Sequence, residues 1–137
     1  MALVIDTGVL YATLDSDDRD HSACATLLAK ARESRLVPSP VLTEVDWLCG
    51  SAPGARFSVV LDQIESGALE IEELSQTDYD RIAELLLTYA DLRVGFVDAA
   101  VLAVVERLRE PKLATLDRRH FTVMRPNHVD ALELLPA

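Results

Sequence analysis

Two kinds of hydrophobic pattern follow one another along the chain. Apolar residues at helical spacing predict six helices, at residues 7–13, 21–34, 40–49, 57–66, 77–91 and 96–109. Short apolar or alternating runs predict strands at residues 2–5, 35–39, 68–74 and 112–116, with a weaker fifth strand at 131–135. Because strands alternate with helices, the pattern predicts an α/β fold: a parallel-sheet sandwich with helices on both faces, in a single domain over residues 1–137.

The residues at three predicted helix starts indicate how those helices are capped. Thr7 directly follows the first strand, and its hydroxyl is predicted to cap the first helix. Ser39 precedes Pro40, which predicts Ser39 at the N-cap and Pro40 at the first helical position. For the helix at 77–91, Thr77 or Asp78 is the predicted N-cap.

The composition is typical of a globular protein. The 137 residues suffice for one domain with a hydrophobic core, and 50% of them are hydrophobic. No apolar stretch is long enough to suggest a membrane span, and the N-terminus lacks the pattern of a signal peptide. Cys24 and Cys49 are isolated in the sequence, which favours reduced, structural cysteines in a cytoplasmic protein.

The net charge of −10 argues at first against a nucleic-acid partner, since phosphate contacts need Lys and Arg. The charge is unevenly spread, however. Residues 62–91 hold nine acids and one base, whereas residues 107–125 hold six bases and two acids. Two interpretations stay open: ordinary solvated faces, or a local basic lip on an acidic body.

Four acids occupy positions where a parallel α/β sheet binds ligands. Asp6 and Asp117 follow predicted strands, Asp98 lies in the first turn of the very apolar helix, and Glu44 lies one turn into the helix after strand 35–39. Their neighbours are apolar, so burial is expected, and a buried carboxylate is costly unless it is paired or bound to metal. Taken singly, each acid has a structural explanation that is as good as a functional one: a helix cap, a turn residue, an acid favoured by the helix dipole, or a solvated side chain. Together they favour a shared cation.

The chemistry of such a cluster follows from its donor atoms. Carboxylates without cysteine or a converging histidine favour hard cations, magnesium or manganese, and these cations assist in-line displacement at phosphorus. A bound cation would also remove the electrostatic objection to RNA. His120 is interpreted as structural rather than as a general base. Arg118 and Arg119 follow Asp117 and are either RNA phosphate contacts or plain surface charge.

Four segments of the chain carry a family resemblance. They are, in order, VIDTGVLYA, LTEVDWL, GFVDAAVLAVVERL and LATLDRRHF, and the last is the most specific. Their order and spacing resemble those of PIN domains and, among these, of VapC-type toxin ribonucleases. Asp46 competes with Glu44 for the second position, but it lies two residues away and points to a different side of the helix.

The resemblance implies a PIN-like fold and a set of functional residues. Asp6, Glu44, Asp98 and Asp117 become the catalytic, metal-binding acids, and Thr115 the supporting hydroxyl residue. The implied function is a magnesium-dependent endoribonuclease, with manganese as the other candidate metal, acting as the toxin of a VapBC-type toxin–antitoxin pair. The implied partners are an RNA substrate, a VapB-type antitoxin and a second copy in a homodimer.

Two other functional classes compete with this interpretation. A haloacid dehalogenase-like phosphatase also begins with a strand that ends in Asp, but it needs a second Asp two residues later, where this chain has Gly8. A non-catalytic interaction module of the same fold is the main alternative, and the presence of all four acids argues against it. Cleavage of a structured RNA in magnesium, compared with EDTA, distinguishes the ribonuclease from the non-catalytic module.

Overall fold

A single parallel sheet organises the molecule. The computed structural model describes residues 1–50 and 53–137. The strands are β1 (Ala2–Ile5), β2 (Ser34–Pro38), β3 (Glu70–Glu72), β4 (Lys112–Ala114) and β5 (Glu133–Leu135). They lie in the order β3-β2-β1-β4-β5, and every neighbouring pair is parallel. The predicted α/β class is therefore confirmed, including the weak fifth strand.

The strand order fixes which faces the helices cover. The chain runs outward from β1 through β2 to β3 and then crosses to β4 and β5 on the other side of β1. Because crossovers between parallel strands are right-handed, the helices before and after that crossing cover opposite faces of the sheet. The neighbouring strands β1 and β4 thus form the point at which the strand order reverses. Crevices at such points bind ligands beyond the carboxyl ends of the strands.

Seven α-helices are present in the described ranges. They are α1 (Thr7–Leu14), α2 (His21–Lys30), α3 (Ser39–Leu48), α4 (Pro53–Ser66), α5 (Gln76–Thr88), α6 (Phe96–Leu108) and α7 (Arg118–Val123), with one 3₁₀ turn at Ala90–Leu92. The first six were predicted, although α2 ends at Lys30 and not at Ser34, which begins β2, and α4 begins four residues earlier than predicted. The seventh was missed, since six residues are too few to establish a helical period.

The helix caps differ from the sequence-based predictions at three starts. Asp6, not Thr7, is the N-cap of α1, and its side chain accepts a hydrogen bond from the Thr7 amide. Helix α3 begins one residue early, so that Pro38 occupies the N-cap and Ser39 the first turn. Ser75 caps α5 in a reciprocal capping box with Asp78, which lies at the third helical position.

The hydrophobic core lies around β1, β4 and α6. Residues 3–5 of β1 and Leu113 and Ala114 of β4 are buried, as is the whole run 99–105 of α6. A helix that is apolar on all sides needs such an interior position, which explains the composition of α6. Within the described ranges, no helix is long and apolar enough to cross a membrane. The core therefore gives a rigid support to the residues at the carboxyl ends of β1 and β4.

Candidate metal centre

The register between β1 and β4 places Asp6 and Thr115 side by side. Ile5 pairs with Ala114 at the last rung of the ladder, and the Asp6 amide donates to the Ala114 carbonyl oxygen at 2.9 Å. The residues that follow this pair, Asp6 and Thr115, therefore lie beside each other. The Thr115 hydroxyl donates to Oδ2 of Asp6 at 2.7 Å.

Asp6 is buried and held at both carboxylate oxygens. Its residue is only 5% exposed, and the Thr7 amide donates to Oδ1 at 2.8 Å. Burial raises the pKa of Asp6 to about 6. Hydrogen bonds from Thr115 and Thr7 oppose this shift, whereas the negative charges of Asp98 and Glu44 add to it. The two other acids therefore lie close enough to affect the charge state of Asp6.

Thr7 connects Asp6 with Glu44. While its amide contacts Asp6, its hydroxyl donates to Oε1 of Glu44 in α3 at 2.6 Å. Sequence analysis predicted only a capping role for Thr7, because this contact depends on the packing of α1 beside α3. Glu44 is exposed, so the expectation that all four acids are buried was wrong for this residue.

The competing acid Asp46 has a different environment. It is exposed, and its charge adds to the raised pKa of the Cys49 thiol, for which burial is the main cause. Glu44, by contrast, affects the pKa of both Asp6 and Asp98. The structure thus brings Glu44 toward the other acids.

Asp98 and Asp117 meet at the His120 ring. Asp98 lies in the first turn of α6, and Asp117 is the N-cap of α7. Nδ1 of His120 lies 3.2 Å from Oδ2 of Asp98 and 2.9 Å from Oδ2 of Asp117. One donor atom from each of the three side chains lies within 4.8 Å of the others. The Asp117 amide donates to the Thr115 hydroxyl at 3.0 Å, which joins this group to Asp6.

The charge states within this group depend on one another. Partial burial raises the pKa of Asp98, and the charge of Asp117 raises it further, whereas His120 lowers it. For His120, partial burial lowers the pKa, but the hydrogen bond to Asp117 and the charges of Asp117 and Asp98 outweigh burial and raise it. The negative charges of Asp98 and Asp117 therefore favour the protonated form of the His120 ring.

The cluster has an excess of negative charge. Among residues 1–50 and 53–137, neither lysine nor arginine forms an ion pair with any of the four acids. Oxygen donors in excess, held by Thr7 and Thr115 at a strand-order reversal, suit a hard divalent cation. The donor set therefore fits magnesium or manganese.

The two arginines proposed as phosphate contacts have different surroundings. Arg118 turns toward the C-terminus, where its Nη2 donates to the carbonyl oxygens of Pro136 at 2.7 Å and Leu134 at 3.4 Å. Arg119 is exposed to solvent. Two other bases of residues 107–125 are paired with acids, Arg107 with Glu72 at 2.8 Å and Lys112 with Glu33 at 3.8 Å. The basic segment is therefore partly neutralised.

A cleft opens beside the acids. It has a volume of about 390 Å³ and is lined by Thr7, Thr43, Glu44, Trp47 and Leu48. The Trp47 side chain is 80% exposed although it is large and apolar. An apolar surface bordered by carboxylates is available next to Glu44 for a partner or a substrate.

Comparisons with known proteins agree with this architecture. The PIN-domain family model matches residues 3–125. The chain is 31% identical over 125 residues to ribonuclease VapC26 of Mycobacterium tuberculosis (strain ATCC 25618 / H37Rv), covering 90% of this chain and 93% of that protein.

Two solved structures show the same fold. The first is M. tuberculosis VapC20, a Sarcin-Ricin loop cleaving toxin, with a TM-score of 0.71, 22% identity and coverage of 81% of this chain and 86% of that one. The second is VapBC2 of Rickettsia felis bound to a DNA fragment from its promoter, with a TM-score of 0.72, 18% identity and 98% coverage of both chains. At these identities the likeness concerns the fold.

Proposed function

The chain belongs to the PIN-domain family and, within it, to the VapC ribonucleases, and on this premise we propose that it is a metal-dependent endoribonuclease, the toxin of a VapBC-type pair. The observation that carries the proposal is an acidic group without a lysine or arginine partner in the described ranges: Asp98 and Asp117 lie within ligand distance of each other, and the charges of Asp98 and Glu44 act on Asp6. A structural cluster of this charge would need a neutralising side chain. In a metal site, the negative charge of the carboxylates stays available to bind the cation.

The proposed ligands are the four acids, and the proposed metal is magnesium or manganese. When bound, a divalent cation polarises a phosphoryl oxygen and makes a bound water more acidic. The residues of the chain orient this site. Thr115 and the Thr7 amide fix the two oxygens of Asp6, while the Thr7 hydroxyl fixes one oxygen of Glu44. Such fixed ligands need little rearrangement during the reaction.

The proposed reaction is hydrolysis of an RNA phosphodiester. A water molecule gives up one proton as its oxygen bonds to phosphorus in line with the leaving oxygen, the bond from phosphorus to that oxygen breaks, and the leaving oxygen takes up a proton. One new end then carries a phosphate and the other a hydroxyl. Asp98 and Asp117 lie at the half-open side of the cluster, where a phosphate has access.

An antitoxin is the proposed protein partner. The R. felis relative was solved as a VapBC assembly, which supports a partner of the same kind here. The cleft beside Glu44 combines an apolar wall at Trp47 and Leu48 with an acidic border. This combination suits a segment with apolar side chains and an arginine, which would reach the carboxylates. A homodimer and a cytoplasmic location are also proposed, the latter in keeping with a toxin that meets cellular RNA.

Cleavage of total RNA tests the proposal. Wild-type protein is expected to cut RNA in magnesium and to stop in EDTA, and Asp98→Asn is expected to be inactive in both. Asp46→Asn is the matched control, because it removes an exposed acid from the same helix as Glu44. Mapped cut sites would then define the RNA target. A folded wild-type protein that leaves RNA intact with magnesium and manganese would favour a non-catalytic interaction module.

A further inference from the structure

His120 occupies the position where Asp98 and Asp117 approach each other. Its Nδ1 is 2.9 Å from one carboxylate oxygen and 3.2 Å from the other. The ring is held from behind, because Nε2 lies 3.2 Å from the carbonyl oxygen of Leu92. The backbone adds a further restraint, since the His120 amide donates to Oδ1 of Asp117 at 3.0 Å.

The contact with Leu92 decides which ring nitrogen carries hydrogen. A carbonyl oxygen can only accept, so Nε2 carries the proton and donates it to Leu92. In a neutral ring Nδ1 then presents a lone pair to two carboxylate oxygens, and three acceptors face one another. A proton on Nδ1, a proton on one of the two carboxyl groups, or a cation shared by all three groups satisfies this arrangement. Histidines that ligate metals commonly donate their other nitrogen to a backbone carbonyl in this way.

The spacing of the three groups suits one ion. Adjacent ligands of an octahedral ion with bonds of about 2.1 Å are separated by ~3.0 Å. The two distances from Nδ1, 2.9 and 3.2 Å, are close to that separation. The three donor atoms all lie within 4.8 Å of one another. The three side chains are therefore close enough to one another to hold a single ion together.

We propose that His120 is a nitrogen ligand of the metal site and that it makes the site prefer manganese to magnesium. This inference rests on the proposed function and refines its metal site. Magnesium favours oxygen ligands almost entirely, whereas transition-metal ions accept imidazole readily. An oxygen-only cluster would give magnesium no such disadvantage. This proposal differs from the sequence-based interpretation of His120 as structural.

Electron paramagnetic resonance of bound Mn²⁺ tests the ligand directly. Echo-modulation spectra of the wild type with Mn²⁺ are expected to show a directly coordinated ¹⁴N, and His120→Gln is expected to lose that signal. His21→Gln is the matched control, because the His21 ring contacts the Ala12 carbonyl and not the four acids. This variant is expected to keep the nitrogen signal.

Calorimetric titration of the intact protein tests the preference. The ratio of the Mn²⁺ to the Mg²⁺ association constant is expected to fall about ten-fold or more in His120→Gln. It is expected to be unchanged in His21→Gln. If His120 only positioned Asp117, the affinities for both metals would fall together and the ratio would stay constant.

The outcomes separate the inference from the function on which it rests. Bound Mn²⁺ without a nitrogen signal in the wild type, together with metal-dependent RNA cleavage, would overturn the role of His120 and leave the function intact. Failure to bind either metal and to cut RNA would overturn both. Should His120→Gln fail to fold, the spectrum of the wild type alone still decides whether nitrogen coordinates the ion.

Discussion

Two groups of acids in the molecule differ in how their charge is neutralised. The first group joins α5 and α6 and is neutralised by arginine: Asp78 is 2% exposed and lies 3.1 Å from Arg107, while Glu106 lies 2.8 Å from Arg81. The second group contains Asp6, which is 5% exposed, and no arginine or lysine pairs with it or with its three acidic neighbours in the described ranges.

This contrast separates a structural cluster from a functional one. A buried carboxylate that serves only the fold is stabilised by a permanent partner, as Asp78 is by Arg107. At Asp6 the partners are a hydroxyl and an amide, which orient the carboxylate without neutralising it. The missing positive charge is then supplied from outside. Asp98 and Asp117 likewise have no arginine or lysine partner in the described ranges, and both contact the His120 ring.

Removing the charge of Asp6 is expected to have the largest effect. Asp6→Asn should lower the rate of RNA cleavage by more than about 100-fold, because loss of a ligand costs more than loss of a residue that supports one. Single-turnover cleavage in magnesium measures the effect, with Asp46→Asn expected to match the wild type. Wild-type rates in a folded Asp6→Asn protein would remove Asp6 from the site.

Breaking the arginine-paired cluster should affect stability and not catalysis. Arg107→Ala leaves the buried Asp78 without its cation and is expected to lower the free energy of unfolding by about 2–4 kcal/mol. Urea unfolding gives this value, and a metal titration of the folded variant should match the wild type. A variant of normal stability, or one with weakened metal binding, would mean that the two acid clusters do not have separate roles.

The pH dependence of stability should distinguish Asp6 from other acids. Its pKa is raised from 3.8 to about 6 in the folded protein, so the folded state holds the proton more tightly than the unfolded state. Without metal, its contribution to stability is therefore present below about pH 4 and is lost as the pH rises through 6. The full loss amounts to about 3 kcal/mol.

Urea unfolding in EDTA between pH 4.5 and 7.5 checks this sign. The wild type should lose more stability over that range than Asp6→Asn, in which the group cannot titrate. If stability changed equally with pH in the two proteins, burial would not raise the pKa of Asp6.

The smallest predicted effect concerns the two arginines beyond the acids. Arg119→Ala is expected to weaken RNA binding only a few-fold and to reduce the salt slope by about one phosphate contact. Arg118→Ala should change RNA binding less, because its guanidinium is engaged with the carbonyl of Pro136. Filter binding at several salt concentrations separates the two residues. Equal effects on RNA binding would mean that both arginines belong to one basic surface.

The sequence predicts much of the site because position in an α/β fold determines what a residue can reach. Asp6 and Asp117 follow strands that turn out to be neighbours, so their convergence follows from the alternation of strands and helices. The roles of Thr7 and His120 could not be predicted in the same way. Thr7 reaches Glu44 only through packing of α1 beside α3, and His120 is oriented by α7, which is too short to show a period.

The N-cap residues of the helices were hard to predict for a different reason. Several hydroxyl and acidic residues occur near each start, and the choice among them depends on backbone angles that the sequence pattern does not reveal. At α5, for example, Ser75 rather than Thr77 or Asp78 is the N-cap, because only Ser75 has an extended backbone in front of the helix. The spacing from Asp117 to His120, three residues apart, was the one available signal that the ring could contact that acid.

Thermal melts with and without metal test the central claim, that Asp6, Glu44, Asp98 and Asp117 form a metal site. Manganese at 100 times its dissociation constant should stabilise the wild type by about 2.7 kcal/mol, and Asp98→Asn should gain less. In EDTA, Asp98→Asn should melt at or above the wild-type temperature, because it removes one repelling charge at nearly constant shape. A clear loss of stability for Asp98→Asn in EDTA, combined with a wild type that is insensitive to manganese and magnesium, would contradict the claim.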